Sequence, residues 1–296
     1  MSTAGAELEE EGPPRHDVPR DGRSGFVLVD ERQVHYLEWG ASTAPPVLCL
    51  HGGGQTAYMW EELGAALRDR YHVLAPDLPW HGDSDPIDDM SRQTLAASIP
   101  PFLHEFGYEQ AAFVGASLGG IVSLTLAAAR PEIASAIALI DIGHRLEDAG
   151  VNRIIEFMTR HESFASLEEA AGEVAGYLPQ RKQVRPENLR RNLRQRADGR
   201  WEWKHAYGRR LRAGTPQGGW RELLAGLDEE VTTLPCPVLV LRGSASDVLS
   251  DEGAEEVAAL IPDARLATVG SAGHHAAGDN PESTVGLVRS FLAETA

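Results

Sequence analysis

The sequence lacks most of what would tie it to a disulfide framework, a metal, a nucleotide or a membrane. Only two cysteines occur in 296 residues. Cys49 lies in the apolar run PVLCL and Cys236 stands between two prolines, so both are expected as buried reduced thiols, not as a bridge or a catalytic cysteine. Neither HEXXH nor CXXC is present, which removes the familiar zinc spacings, and no metal is expected. There is no GxGxxG, and HGGG at 51–54 is not followed by lysine and Ser/Thr at the Walker spacing, so no cofactor is expected either. Positive charge is scarce: 27 Lys and Arg face 44 Asp and Glu, a net charge of −17. That balance disfavours nucleic acid and anionic membrane as partners. No uncharged apolar run approaches the roughly 20 residues that span a bilayer. The opening MSTAGAELEEEGPPR is acidic where an export signal is basic and then apolar, so a cytoplasmic protein is expected. Nothing in the residues speaks to oligomeric state.

What is present is a long alternation of strand and helix patterns. Residues 1–23 are polar and proline-containing and are expected as a loose acidic tail. GFVLVD and QVHYLEW (25–39) then read as a hairpin closed at Asp30-Glu31-Arg32. PVLCL, YHVLAPD, AAFVG and AIALIDIG read as strands, the most apolar of them as strands covered on both faces. WEELGAALRD and IVSLTLAAAR have helical periodicity, and TLAASIPPFLHEFG (94–107) is expected as one helix kinked at Pro100 and Pro101. The alternation stops near 145, gives way to a charged helical stretch without a convincing strand, and resumes at PVLVLRG (237–243). This pattern predicts an α/β fold with a mostly parallel sheet flanked by helices, interrupted by a helical insertion.

At FVGASLGG (113–120) one serine stands between a strand and a helix among residues of almost no bulk. A G-x-S-x-G pattern alone is weak, but at a strand-to-helix turn it presents the serine hydroxyl above the carboxyl end of the sheet. The helix N-terminus behind Ser117 favours a developing negative charge. A serine hydroxyl needs a base, and the base needs a carboxylate to hold its tautomer. Asp247, in the loop after PVLVLRG, is the preferred acid, and Asp141 in ALIDIGH is the alternative. His274 and His275, in SAGHH after ARLATVG, are the candidate bases. The N–H groups of Gly53 and Leu118 are candidate donors to an oxyanion.

The stretches HGGGQT, PDLPWHGDSD, GASLGG, LRGSASDVLS and GSAGHH together resemble the α/β-hydrolase superfamily over residues 25–294, in its serine-nucleophile, esterase- and lactonase-like members. The resemblance implies an eight-stranded sheet with a helical cap inserted after the sixth strand. The core is then 24–144 with 231–296, and the cap 145–230. It also implies Ser117 as nucleophile, Asp247 as acid, His274 (directly after a glycine) as base, and Gly53 with Leu118 as the oxyanion hole. Some members of the family take their acid from the position of Asp141. His81 matches a loop segment near the pocket and is expected to be structural, and His144 is expected as an ordinary surface histidine.

The implied activity is cleavage of a small to medium carboxylic ester or lactone through an acyl-enzyme. Alternatives with the same residues are C–C bond hydrolysis of a diketone-type ring-cleavage product, peracid formation, thioester release, or ligand binding without turnover. Haloalkane dehalogenase and epoxide hydrolase chemistry is disfavoured, because those relatives carry aspartate where this chain has Ser117. Residues 181–212 hold twelve Lys and Arg against three acids. The ordinary reading is a solvated face paired with acidic residues elsewhere. The sharper one is attraction of an anionic ester or lactone. Trp201, Trp203 and Tyr207, among those charges, are expected to pack the insertion, with room for one to line the pocket.

Overall fold

The computed structural model of the chain describes residues 18–181, 183–206, 208 and 219–295. Most of the expected tail, residues 1–17, lies outside them, as does Tyr207. From residue 18 onward the tail is already pinned. The indole N–H of Trp39 donates to the carbonyl of Arg20 at 2.9 Å, and Arg20 bonds Glu61 and Glu62 on the first helix.

Strands β1 (Arg23–Val29) and β2 (Arg32–Trp39) form the expected hairpin. Its two-residue turn has positive φ at both Asp30 (49°) and Glu31 (63°). That turn hand matches the twist of the strands it joins. β3 (Pro46–Leu50), β4 (His72–Pro76), β5 (Ala111–Ala116), β6 (Ala134–Ile140), β9 (Val238–Gly243) and β10 (Ala264–Val269) complete an eight-stranded sheet in the order β1-β2-β4-β3-β5-β6-β9-β10. β1 and β2, and β2 and β4, run antiparallel, and all other neighbours are parallel. β4, β5 and β9 are buried at every position, as two covered faces require. One face carries Leu63, Leu67, Val288 and Phe291, the other Leu95, Phe102, Ile121 and Leu124.

The kinked helix expected over 94–107 is two helices, Arg92–Ala97 and Ile99–Glu105. The second opens at Ile99, so Pro100 falls in its first turn, where a missing N–H breaks no helical bond. Between β6 and β9 the chain leaves the sheet. It forms the helices Asp148–Arg160 and Leu167–Tyr177 and, contrary to the expectation of no strand, a two-stranded ribbon of β7 (Leu193–Gln195) and β8 (Trp201–Trp203). Phe164, Leu167, Val174, Leu189 and Leu193 give this excursion a small core of its own. The helix Leu227–Val231 already packs with the main core, where buried Arg92 grips Glu230 (2.5 and 2.8 Å) and the carbonyl of Ala225 (2.7 Å).

Cys49 and Cys236 are both free and buried. Burial pushes both thiols up, Cys236 to about 11, so neither is a thiolate near neutral pH. Among the described residues no helix is long and apolar enough to cross a membrane.

Candidate active site

β5 delivers Ser117 at its carboxyl end, and the helix Leu118–Ala129 begins at the next residue. Ser117 has φ 48° and ψ −115°, a conformation that costs a non-glycine residue about 1–3 kcal/mol and persists only where the surroundings enforce it. The enforcement is visible on both sides. The N–H of Ser117 donates to the carbonyl of Ile140 at 3.2 Å, fixing it to β6. A Cβ on Gly119 would stand 2.0 Å from the carbonyl oxygen of Leu50, so only glycine lets this helix lie against β3. Leu118, as the first helical residue, has no carbonyl four positions back within its helix, and its N–H faces the anion-favouring end of a twelve-residue dipole.

The loop after β3 is arranged around its amides. The N–H of Gly52 donates to Oε1 of Gln55, that of Gly54 to Nε2 of His81, and that of Gln55 to the carbonyl of Gly52. None of those bonds uses the N–H of Gly53. A Cβ at Gly53 would meet nothing within 4 Å, so the residue borders open space. His51 braces the loop from below. Its Nε2 accepts from the N–H of Leu78 (2.9 Å), so its Nδ1–H donates to the carbonyl of Gly52 (2.8 Å). His81 is likewise fixed, with Nδ1–H on the carbonyl of Pro79 (3.0 Å) and its ring 5.0 Å from that of His51. Burial lowers the pKa of both rings, and at His81 the neighbouring His51 and His205 lower it further. His81 is a backbone anchor.

His274 and Asp141 are both almost wholly buried, and His274 Nδ1 donates to Asp141 Oδ2 at 2.8 Å. Asp141 follows β6 with φ 53°, its N–H donating to the carbonyl of Leu241 at 2.7 Å. Its carboxylate also accepts from the N–H of Gly243 at Oδ1 (2.8 Å) and from the Ser246 hydroxyl at Oδ2 (2.5 Å). Three donors hold one buried carboxyl group. With Nδ1–H engaged, Nε2 is the basic nitrogen of His274.

Against the expectation, the preferred acid is not the carboxylate beside His274. Asp247 does not reach His274. Arg153, on the helix Asp148–Arg160, grips both its oxygens at 2.7 Å, and its side chain is 44% exposed. The hydrogen bond from Arg153 holds its carboxyl below the usual range, against a smaller opposing effect of burial. The helix approaches so closely that a Cβ on Gly150 would stand 2.0 Å from the Asp247 carbonyl. Asp141, the alternative, is the carboxylate on the imidazole.

Ser117, Leu118, Gly53 and His274 line one cavity of about 100 Å³, whose other walls are mainly apolar, among them Ile121, Ile142, Val151, Ile155 and Leu224. His275 is its polar neighbour. Gln55 Nε2 donates to His275 Nδ1 at 3.1 Å, which leaves His275 Nε2–H to face the Tyr177 hydroxyl at 3.4 Å. Burial, then repulsion from His274, Arg181 and Arg153, holds the ring neutral with its pKa well below the ordinary value. Burial pushes Tyr177 up to about 12. Gln55, Ser246 and Tyr177 escaped the sequence reading. Gln55 sits in the quoted HGGGQT and Ser246 beside Asp247, so for those two position was the available signal.

His144 is half-buried and faces Glu256 at 3.9 Å, so it is not a plain surface residue. Trp203 lines a second cavity beside the first, and Trp201 lies under the guanidinium of Arg190. Among the described residues, potential metal-ligand atoms converge at His35, Asp77 and Asp83. Asp77 is already engaged there, by Ala57 N–H at Oδ1 and by His35 and Asp83 N–H at Oδ2. Those bonds pin the loop after β4 and supply no open ligand set.

Comparison with known proteins agrees with this architecture. The family described as the alpha/beta hydrolase fold matches residues 45–281. Esterase Rv0045c of Mycobacterium tuberculosis is 29% identical over 277 residues, covering 89% of this chain and 88% of its own. A 3-hydroxybutyrate-oligomer hydrolase of Cupriavidus necator is 27% identical over 274 residues, 85% of this chain and 92% of its own. The solved structure of an alpha/beta hydrolase from Novosphingobium aromaticivorans superposes with a TM-score of 0.76 at 26% identity, over 93% of this chain and 99% of the other. A sheet of this order with a serine on the turn after β5, matched over most of the chain, places the protein in the α/β-hydrolase family.

Proposed function

We propose that the protein is a serine hydrolase that cleaves a small to medium carboxylic ester or lactone, with Ser117 as nucleophile, His274 as base and Asp141 as acid. That the chain is a hydrolase follows from its family and from relatives named esterase and hydrolase. The observation that carries the finer reading is the buried Asp141–His274 hydrogen bond on a cavity that also holds strained Ser117.

The chemistry follows from the groups present. His274 Nε2 takes the hydroxyl proton as Ser117 Oγ adds to the ester carbonyl. The oxyanion settles between the N–H groups of Gly53 and Leu118, each worth about 3–4 kcal/mol in comparable sites. The imidazolium returns the proton to the leaving alcohol as the C–O bond breaks. Water, deprotonated by the same nitrogen, adds to the acyl-enzyme and releases the acid. Asp141 stays ionised throughout and stabilises the imidazolium, helped by Ser246 and Gly243. The excursion between β6 and β9 acts as a cap: Val151, Ile154, Ile155 and Met158 from it line the nucleophile's cavity. Its apolar lining supports an ester with an aliphatic arm.

The test is turnover of p-nitrophenyl esters by the wild type and by Ser117→Ala. Ser117-dependent hydrolysis is expected. Turnover that survives the substitution contradicts the assignment.

A further inference from the structure

A second cavity, of about 110 Å³, adjoins the one that holds Ser117. The two share Gly53, Gln55, Ile154, Met158 and His275 as lining, so they meet at the amide proposed to hold the oxyanion. Away from Ser117 and the histidines, the first is lined mainly by aliphatic side chains and Trp220. The second mixes aliphatic side chains with Tyr177, Trp203, Asn192 and one charged group, Arg181.

Arg181 is an incompletely paired cation. Its Nε is buried and has no hydrogen-bond partner. The nearest carboxylate oxygen is Asp279 Oδ1 at 3.9 Å, beyond hydrogen-bonding reach, and that oxygen is also buried and unpartnered. The other oxygen of Asp279 accepts from the N–H of Gly273, so this carboxylate serves the loop that carries His274. A Cβ on Gly278 would stand 2.1 Å from Nη2 of Arg181, so the guanidinium packs directly against this glycine. The side chain is 30% exposed, and its unpartnered Nε leaves donor capacity to offer a ligand.

Four of the seven other described basic residues in 181–212 pair with acids, while Arg185, Arg190 and Arg200 contact Gln183, Trp201 and Ser163. Arg191 is bonded to Glu61, Arg194 to Glu202, and Arg196 and Lys204 pair with Asp198 and Asp83. Lys182, Arg209, Arg210 and Arg212 lie outside the described residues. Of the described basic residues in 181–212, Arg181 is the one that lines the inner cavity.

We propose that Arg181 anchors the anionic end of the substrate, an ester with one apolar arm beside Ser117 and a second arm that ends in a carboxylate. The proposal rests on the Ser117 reading above. The apolar arm occupies the aliphatic cavity, the carbonyl sits at Gly53, and the second arm runs past Gln55 and His275 to the guanidinium. Burial depresses the Arg181 pKa, opposed by Asp279, which is the electrostatic sign of a cation short of partners.

The experiment compares wild type, Arg181→Gln and Arg181→Lys on the p-nitrophenyl monoesters of adipic and suberic acid and on their neutral counterparts, the hexanoate and octanoate. Loss of a charge-assisted hydrogen bond corresponds to about 10- to 100-fold. Arg181→Gln is expected to lower kcat/KM for the anionic esters by that factor, through KM, with the neutral esters changed less than about threefold. Arg181→Lys is expected to keep part of the preference. A second readout needs no turnover: monomethyl adipate is expected to raise the Tm of Ser117→Ala but not of the double variant with Arg181→Gln. Equal losses on anionic and neutral esters, or a Tm shift independent of Arg181, overturn the anchor while Ser117-dependent hydrolysis stands. If ester turnover survives Ser117→Ala, the Ser117 reading fails instead, and the Tm comparison still decides the anchor.

Discussion

Asp141, at the end of β6, places Oδ2 2.8 Å from His274 Nδ1, although the two are 133 positions apart in sequence. Asp247, at the loop after β9, is held by Arg153 instead. The expected consequence is an asymmetric pair of variants. Asp141→Asn lowers ester kcat/KM by about 10⁴-fold, because the imidazole loses its tautomer control and its counter-charge. Asp247→Asn breaks a half-exposed ion pair, of a kind worth about 1 kcal/mol or less, and leaves activity within about tenfold. Steady-state kinetics on one p-nitrophenyl ester checks both, and the reverse order contradicts the geometry.

Ser246 donates its hydroxyl to the same Asp141 oxygen and accepts the N–H groups of Val248 and Leu249 at 3.1 and 3.2 Å. Ser246→Ala is expected to lower kcat/KM by about tenfold, the scale of one hydrogen bond to a charged group, and Ser246→Thr to recover most of it. Failure of Ser246→Thr to recover activity would reduce Ser246 to a packing role.

How much of this was legible follows from where each signal resides. Ser117 and Gly53 sit in strand–turn stretches whose small residues announce a close approach, and the approach is real at Gly119. His274 follows a glycine in a loop after a strand, also a local signal. The acid carries no such mark. Asp141 and Asp247 both follow strand ends on one edge of the sheet, and the choice depends on Arg153 reaching across from a helix about a hundred residues away. The ribbon of β7 and β8 was missed because three residues per strand are too few for alternation to register. The single helix expected over 94–107 divided because a proline in a first turn suits a helix start as well as a kink in mid-helix.

Glycine positions separate two physical effects. Gly119→Ala forces Cβ against the Leu50 carbonyl, and an overpacked contact with rigid backbone costs about 1–3 kcal/mol or more. At Gly172, inside the helix Leu167–Tyr177, an added Cβ would meet nothing within 4 Å, so Gly172→Ala gains helix propensity of about 0.5–1 kcal/mol. Thermal or denaturant unfolding of the two variants is expected to move in opposite directions.

The pH dependence of stability rests on His51, His81 and His275, all lowered first by burial. Below the unfolded value near 6.5, the unfolded chain binds protons that the folded chain refuses. Stability is therefore complete above that pH and falls as pH drops toward the folded values. The slope is at most about 1.4 kcal/mol per pH unit for each group. His275→Gln removes one contributor, so its Tm is expected to fall less than the wild type's between about pH 7.5 and 5.0, a window that brackets the unfolded value. An equal or steeper fall contradicts the assignment of a buried neutral His275.

The central claim is that a strained Ser117, served by His274, is the nucleophile. Labelling with a fluorophosphonate followed by mass-spectrometric mapping tests it most directly. One adduct per chain on Ser117, absent in Ser117→Ala and strongly slowed in His274→Gln, is the predicted result. An adduct on any other residue, or labelling that persists in Ser117→Ala, would contradict it.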